Sequence, residues 1–163
     1  MKSHTQFLSF VALALAVGCD AVVQTVPAPN SPLPRGVFSG SASCPVRTTA
    51  PNGVQTTQDI TAAVSFEISE RGVPIVLGEE IAVGRSVTLQ ALTVRYTRIE
   101  ATDEGLIIHS ETRTDQNGVS AEGTALAQFR RIDDTSTEYS LTQTWADSQG
   151  YLYNQACNTV LSK

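Results

Sequence analysis

The chain has 163 residues, 11 basic and 16 acidic, for a formal charge of −5. That length suits one domain and leaves little room for a second. The basic residues are too few and too scattered to displace counterions along a nucleic-acid backbone, or to make a polybasic membrane-binding surface, so neither partner is expected on charge grounds.

The chain opens with Lys2 and an unbroken stretch of apolar and small residues, Phe7 to Val17, ending at Ala16-Val17-Gly18-Cys19. A helix needs about 20 apolar residues to cross a bilayer, so this run is too short to span. It suits the apolar core of a secretory signal instead. The order of basic residue, short apolar run, small residues and cysteine resembles the lipobox signal of bacterial lipoproteins. Gly18 fits that pattern; Ala16 stands where the family prefers Leu, and Val17 is bulkier than usual. The resemblance covers residues 1–19 only. It implies removal of the signal peptide 1–18 and attachment of lipid, palmitate included, to Cys19. It therefore implies a protein lipid-anchored in the bacterial cell envelope, at its periplasmic face or at the cell surface, with the membrane as its partner through that lipid. The alternative is an ordinary signal peptide that leaves Cys19 as a free thiol. With three cysteines the count is odd, and lipidation of Cys19 accounts for the unpaired one. Loss of Lys2 leaves ten basic against 16 acidic residues.

Residues 19–34 read as a tether. Pro27, Pro29, Pro32 and Pro34 fix their own φ and bias the residues before them toward extended backbone. The expectation is a semi-rigid spacer, able to reach on the order of 40 Å when fully extended.

From Arg35 to Lys163 the hydrophobic period is two. Phe38, Gly40, Ala42, Cys44 and Val46 share one face, as do Ile60, Ala62, Val64, Phe66 and Ile68. Val119 to Phe129 and Tyr139 to Trp145 alternate in the same way, the pattern of half-buried strands. No segment carries a convincing helical stripe. Glu79-Glu80-Ile81-Ala82-Val83 has acids suited to a first helical turn, but Gly78 and Gly84 leave it too short for a stable helix. Turn residues recur at Asn52-Gly53, Arg71-Gly72, Gly84, Asp103-Glu104-Gly105, Asn117-Gly118, Asp133-Asp134 and Ser148-Gln149-Gly150. Asn117-Gly118 is the firmest, because a type I′ turn needs positive φ at both central positions. These turns divide residues 35–163 into about eight strands, and short connections favour an antiparallel meander. The approximate spans are 36–47, 54–69, 73–83, 86–100, 105–115, 119–132, 136–147 and 151–162.

The expected fold is therefore all-β, with the meander closed or nearly closed into a barrel. Its architecture resembles that of lipocalin-like barrels, although no lipocalin signature lies near Phe38-Ser39-Gly40. Cys44 falls in the first strand and Cys157 in the last, and a closed barrel makes those strands neighbours. A secreted compartment permits a disulfide between them. A β-sandwich is the alternative fold, but Trp145 lies just before the second cysteine instead of on an early strand between the two.

Nothing in the pattern announces catalysis, and the protein is not expected to be an enzyme. After Cys19 only one histidine remains, His109, too few for a multi-histidine metal site. By alternation it shares a face with Ile107 and Glu111. There is no Gly-x-Ser-x-Gly elbow and no phosphate-cradling loop. Asp115-Gln116-Asn117-Gly118 lacks the ligand spacing of a calcium loop. Glu79-Glu80 would point its two acids to opposite faces of a strand, and the pairs Asp103-Glu104 and Asp133-Asp134 suit solvated turns. No cofactor and no metal are expected. The one anomaly is polarity inside the last two strands. Gln143 shares a face with Leu141 and Trp145, and Gln155 with Tyr151, Tyr153 and Cys157. Buried amides are costly unless hydrogen-bonded, whereas aromatic walls with a few amides describe a ligand pocket. Gln143, Trp145, Tyr151, Tyr153 and Gln155 are the candidate binding residues for a small amphipathic ligand. The alternative function is a structural or assembly role in the envelope, through contact with another protein.

Overall fold

The computed structural model describes residues 24–163. The signal stretch and Cys19 lie outside the described residues. The strands are β1 (Val26–Pro27), β2 (Gly36–Thr49), β3 (Gln55–Ile68), β4 (Pro74–Val76), β5 (Glu79–Glu80), β6 (Ala82–Val83), β7 (Ser86–Leu89), β8 (Leu92–Ala101), β9 (Gly105–Gln116), β10 (Val119–Arg131), β11 (Ser136–Asp147) and β12 (Leu152–Ser162). Ten of them form one antiparallel sheet in the order β5-β4-β3-β2-β12-β11-β10-β9-β8-β7, and β1 pairs with β6. The sheet curls into a half-barrel.

The first and last long strands meet as the cysteine positions required. Gln155 lies opposite Val46 and Asn158 opposite Ser43, a register that sets Cys157 opposite Cys44. The two are joined in a disulfide with Cα atoms 4.2 Å apart. A sandwich of two sheets does not form.

The edges of the sheet, β5 and β7, belong to one short stretch of chain, and that stretch bridges the gap between them. At its start Glu79 and Glu80 pair with Val76 and Ile75 of β4. Ile81 N then donates to Pro74 O at 3.1 Å. Further on, Gly84 N donates to Tyr96 O at 2.8 Å and Tyr96 N to Arg85 O at 3.0 Å. Residues Glu79 to Arg85 are thus hydrogen-bonded first to β4 and then to β8. Ile81 and Val87 point inward and are buried.

Two expected strands are subdivided. The span 73–83 turns at Leu77-Gly78, where φ is 54° and 79°, and the span 86–100 turns at Gln90, where φ is 57°. Both expected spans ran through these points because neither Leu nor Gln ordinarily marks a left-handed position. Asn117-Gly118 forms the expected turn with both φ values positive, 53° and 76°.

The expected spacer is also corrected. From Val26 onward it is packed on the barrel: Val26 and Pro27 lie opposite Val83 and Ala82, and Ala28 and Leu33 are buried in the core. Arg71 holds the segment in place. Its Nε donates to Asn30 Oδ1 at 2.8 Å, a second guanidinium nitrogen reaches Ala28 O, and a third pairs with Glu80. The prolines keep this segment extended, and extended backbone is what an added strand requires.

The core sits toward one end of the barrel. Phe66, Phe129 and Tyr139 form a cluster with ring centroids 4.9 to 5.1 Å apart. Leu106, Ile108, Leu161, Ile68 and Phe38 fill the space around it. Toward the other end the inward rows turn small and polar. Outward residues are largely Thr, Ser, Arg, Glu and Asn, with exposed ion pairs such as Arg130–Glu138 and Arg113–Glu122. Such pairs contribute little stability. Their abundance means that the outer wall faces water, the reverse of a membrane-spanning barrel with its apolar outer band.

Candidate functional site

The inward side chains of neighbouring strands line up in rows across the sheet. One row is Tyr96, Ser110, Ala125, Gln143, Gln155 and Val46, each directly opposite the next. The next row outward is Val94, Thr112, Gly123, Trp145, Tyr153 and Thr48. On the core side of both lies the row of Ile99, Ile108, Ala127, Leu141, Cys157 and Cys44. The disulfide is therefore built into the wall where the packed core ends and the polar rows begin.

Above that boundary the barrel is hollow. A cavity of about 1000 Å³ is lined on this wall by Tyr96, Ser110, Thr112, Ala121, Ala125, Tyr139, Leu141, Gln143, Trp145 and Gln155. This lies at the upper end of the range of about 300–1,000 Å³ for small-molecule pockets. The side chains explain the void. Ala121 and Ala125 fall on inward positions of β10, where larger residues would fill it. Gly123 has no room for a side chain, because a Cβ there would stand 2.1 Å from Thr144 O and 2.5 Å from Trp145 Cβ. The absence of a side chain at Gly123 lets the Thr144 carbonyl and the Trp145 Cα and Cβ approach β10 closely. Across the gap the lining comes from two hairpin tips, Val76-Leu77-Gly78 and Leu89 with Ala91-Leu92. These apolar tips belong to opposite edges of the sheet. The lining also takes in exposed Val37 and Ser65, so the cavity communicates with solvent.

Polar groups inside this cavity are partly unpaired. Gln143 Nε2 donates to Thr112 Oγ1 at 3.4 Å. Gln155 is 4% exposed and Ser110 9%, yet neither side chain makes a hydrogen bond to another described residue. The Tyr96 and Tyr139 hydroxyls make none either, and both residues are buried. Burial raises the Tyr96 hydroxyl to about 12, a shift that nearby Arg85 opposes, and burial also raises that of Tyr139. Both phenols hold their protons across the physiological range and can donate. Arg85 is engaged elsewhere: it pairs with Glu79 at 2.7 Å and donates to Glu80 O at 3.0 Å. The only charged residue in the lining is Glu67, which is exposed.

Of the five residues singled out from the sequence, Gln143, Trp145 and Gln155 line the cavity, and Tyr151 and Tyr153 do not. The two tyrosines lie on the same inward face but continue the aromatic stack away from it. The Tyr153 ring stacks on Trp145 at 5.1 Å and 9°, and Tyr151 follows at 6.4 Å. Tyr153 Oη donates to Asp147 Oδ2 at 3.0 Å. Its pKa is raised by burial first and by that carboxylate second. Tyr153 therefore braces Trp145 from behind. Tyr96, Ser110 and Thr112 were not singled out. A bulge between Tyr96 and Arg98 shifts the register of β8, which places Tyr96 and Ile99 on one face despite their odd spacing. Simple alternation cannot find such a pair.

His109 points outward on β9 and lines a smaller depression of 340 Å³ on the outer wall, with Glu111, Thr97, Thr124 and Thr142. Its Nε2 stands 3.4 Å from Glu100 Oε1, a carboxylate that Arg98 Nε meets more closely at 2.8 Å. Among the described residues no group of three His, Cys, Asp or Glu side chains could hold a metal ion. Comparison with protein-family models, with curated proteins and with solved structures finds no match to this chain. The fold and the cavity thus define the class on their own terms: a disulfide-tied β half-barrel with a solvent-connected interior.

Proposed function

We propose that this is a non-catalytic binding domain of a membrane-anchored envelope lipoprotein, and that the barrel interior takes a small amphipathic ligand. The observation that carries the reading is the cavity itself. A barrel that needed only to be stable would fill its interior with side chains, because voids forfeit packing energy. Here the inward rows of β9 and β10 are given to Ser, Thr, Ala and Gly, while three leucines at the hairpin tips form an apolar rim. The lipobox-like signal supports the anchor. The packed segment from Val26 onward shortens the lead between Cys19 and the barrel, so the domain would ride closer to the membrane than a free spacer through Pro34 allows. A role as a scaffold for another envelope protein is less favoured, since the two sheet edges are strands of two and four residues and offer little backbone for strand addition.

The neutral probe N-phenyl-1-naphthylamine tests the binding reading. Its emission is expected to rise saturably with the soluble domain and to reach one bound probe per chain. Excitation of Trp145, the only tryptophan, should transfer energy to the bound probe. A linear, unsaturable rise would contradict the reading.

A further inference from the structure

We propose that the cavity selects an uncharged ligand, an alcohol, amide or ester on an apolar body, whose polar group is hydrogen-bonded by Gln155, Ser110 and Tyr96. This rests on the binding reading above and specifies what is bound. These three polar side chains are more than nine-tenths buried, line one void and have no partner among the described residues. Their polar atoms are open to the void: among the described residues the one fully enclosed side-chain N or O atom without a partner is Thr137 Oγ1. An occupant that displaces water from the void must therefore hydrogen-bond them itself, because a buried amide or hydroxyl left unpaired costs on the order of 1–3 kcal/mol.

The chemistry of the row fixes the charge of the occupant. An amide and two hydroxyls can each donate and accept, which suits a neutral group that does the same. No lysine, arginine or histidine lines the void. Arg85, whose charge is felt at the Tyr96 hydroxyl, is already paired with Glu79. A carboxylate or phosphate drawn inside would lose its hydration with no counter-charge to meet it. An ammonium would meet no inward carboxylate, since Glu67 lies on the exposed rim. The leucine tips and Trp145 provide for the apolar body.

The test is displacement of bound N-phenyl-1-naphthylamine by 1-dodecanol and by dodecanoate at pH 8, each below its aggregation threshold. Dodecanol is expected to displace at a concentration at least tenfold lower. Because an alcohol leaves water more readily than a carboxylate, two variants separate recognition from partitioning. Gln155→Leu and Tyr96→Phe should each raise the dodecanol inhibition constant, corrected for that variant's own affinity for the probe, at least threefold. Tyr96→Phe removes a single oxygen and guards against misfolding of the bulkier change. If dodecanoate displaces the probe as well as dodecanol does, or if both variants respond like the parent, the cavity binds ligands but the proposed selection is wrong. If dodecanol fails to displace a bound probe, the proposal is wrong in the same way, and the unpaired groups are met by water. If the probe itself does not bind, the binding reading falls and this inference with it.

Discussion

Breaking the Cys44–Cys157 disulfide is expected to lower the unfolding midpoint of the domain by on the order of 15 °C. The bond closes a loop with a sequence separation of 113 residues. In the chain-entropy model a loop of that length constrains the unfolded chain enough to stabilise the fold by roughly 4–5 kcal/mol. For a domain of this size that corresponds to a shift of about 3–4 °C per kcal/mol. Both cysteines are almost fully buried on the inward face, so the double change to Ala also leaves a gap where the packed core meets the cavity. Thermal unfolding followed by circular dichroism, with and without reductant and for the double Ala variant, measures the effect. Peptide mapping without reduction should recover Cys44 and Cys157 in one linked species. An unchanged midpoint on verified reduction would show that the β2–β12 ladder suffices to hold the terminal strands together.

Replacing Cys19 with Ser is expected to release the protein from membranes altogether. In the lipoprotein reading the thiol of Cys19 is the only attachment point for lipid, and serine cannot replace it. A single acyl chain gives marginal, reversible membrane binding, whereas the several chains of a lipoprotein anchor hold stably. The outer wall of the barrel gives no second means of attachment, since it is rich in Thr, Arg and Glu. Fractionation of cells expressing the parent and the variant, with metabolic labelling by a palmitate analogue, reads the result. The parent should be labelled and sediment with membranes, and the variant should be unlabelled and soluble. Mass spectrometry showing an unmodified parent N-terminus would contradict the anchor.

The architecture was largely legible in the sequence because its signals are local. Alternation in Phe38 to Val46 and in Tyr139 to Trp145, with turn residues between the runs, placed the long strands to within a few residues. The two cysteines then said which strands lie together, which is long-range information that periodicity does not contain. What stayed hidden has physical reasons. Leu77 and Gln90 adopt left-handed backbone without being Gly or Asn, so the tip hairpin at Gln90 had no composition signal and the one at Leu77 had only Gly78. The proline segment read as a spacer because extended backbone in solution and extended backbone added to β6 share one local preference. Only the contacts of Ala28, Leu33 and Arg71 distinguish them. The cavity was half visible. Gln143 and Gln155 stood out as amides among aromatic neighbours, but Ser110 and Thr112 looked ordinary on a β strand. That Ala125 leaves a hollow could be recognised only once Gln143 was known to lie opposite it and Trp145 opposite Gly123.

Ala125→Phe tests the hollow interior most directly. Ala125 sits in the row between Ser110 and Gln143 and lines the cavity. A phenyl ring there would enter empty space, so the unfolding midpoint should hold or rise while N-phenyl-1-naphthylamine binding is lost. In a filled interior the same change would overpack the barrel, at a cost of about 1–3 kcal/mol. A midpoint that falls by several degrees while probe binding stays at the parent level would contradict the account.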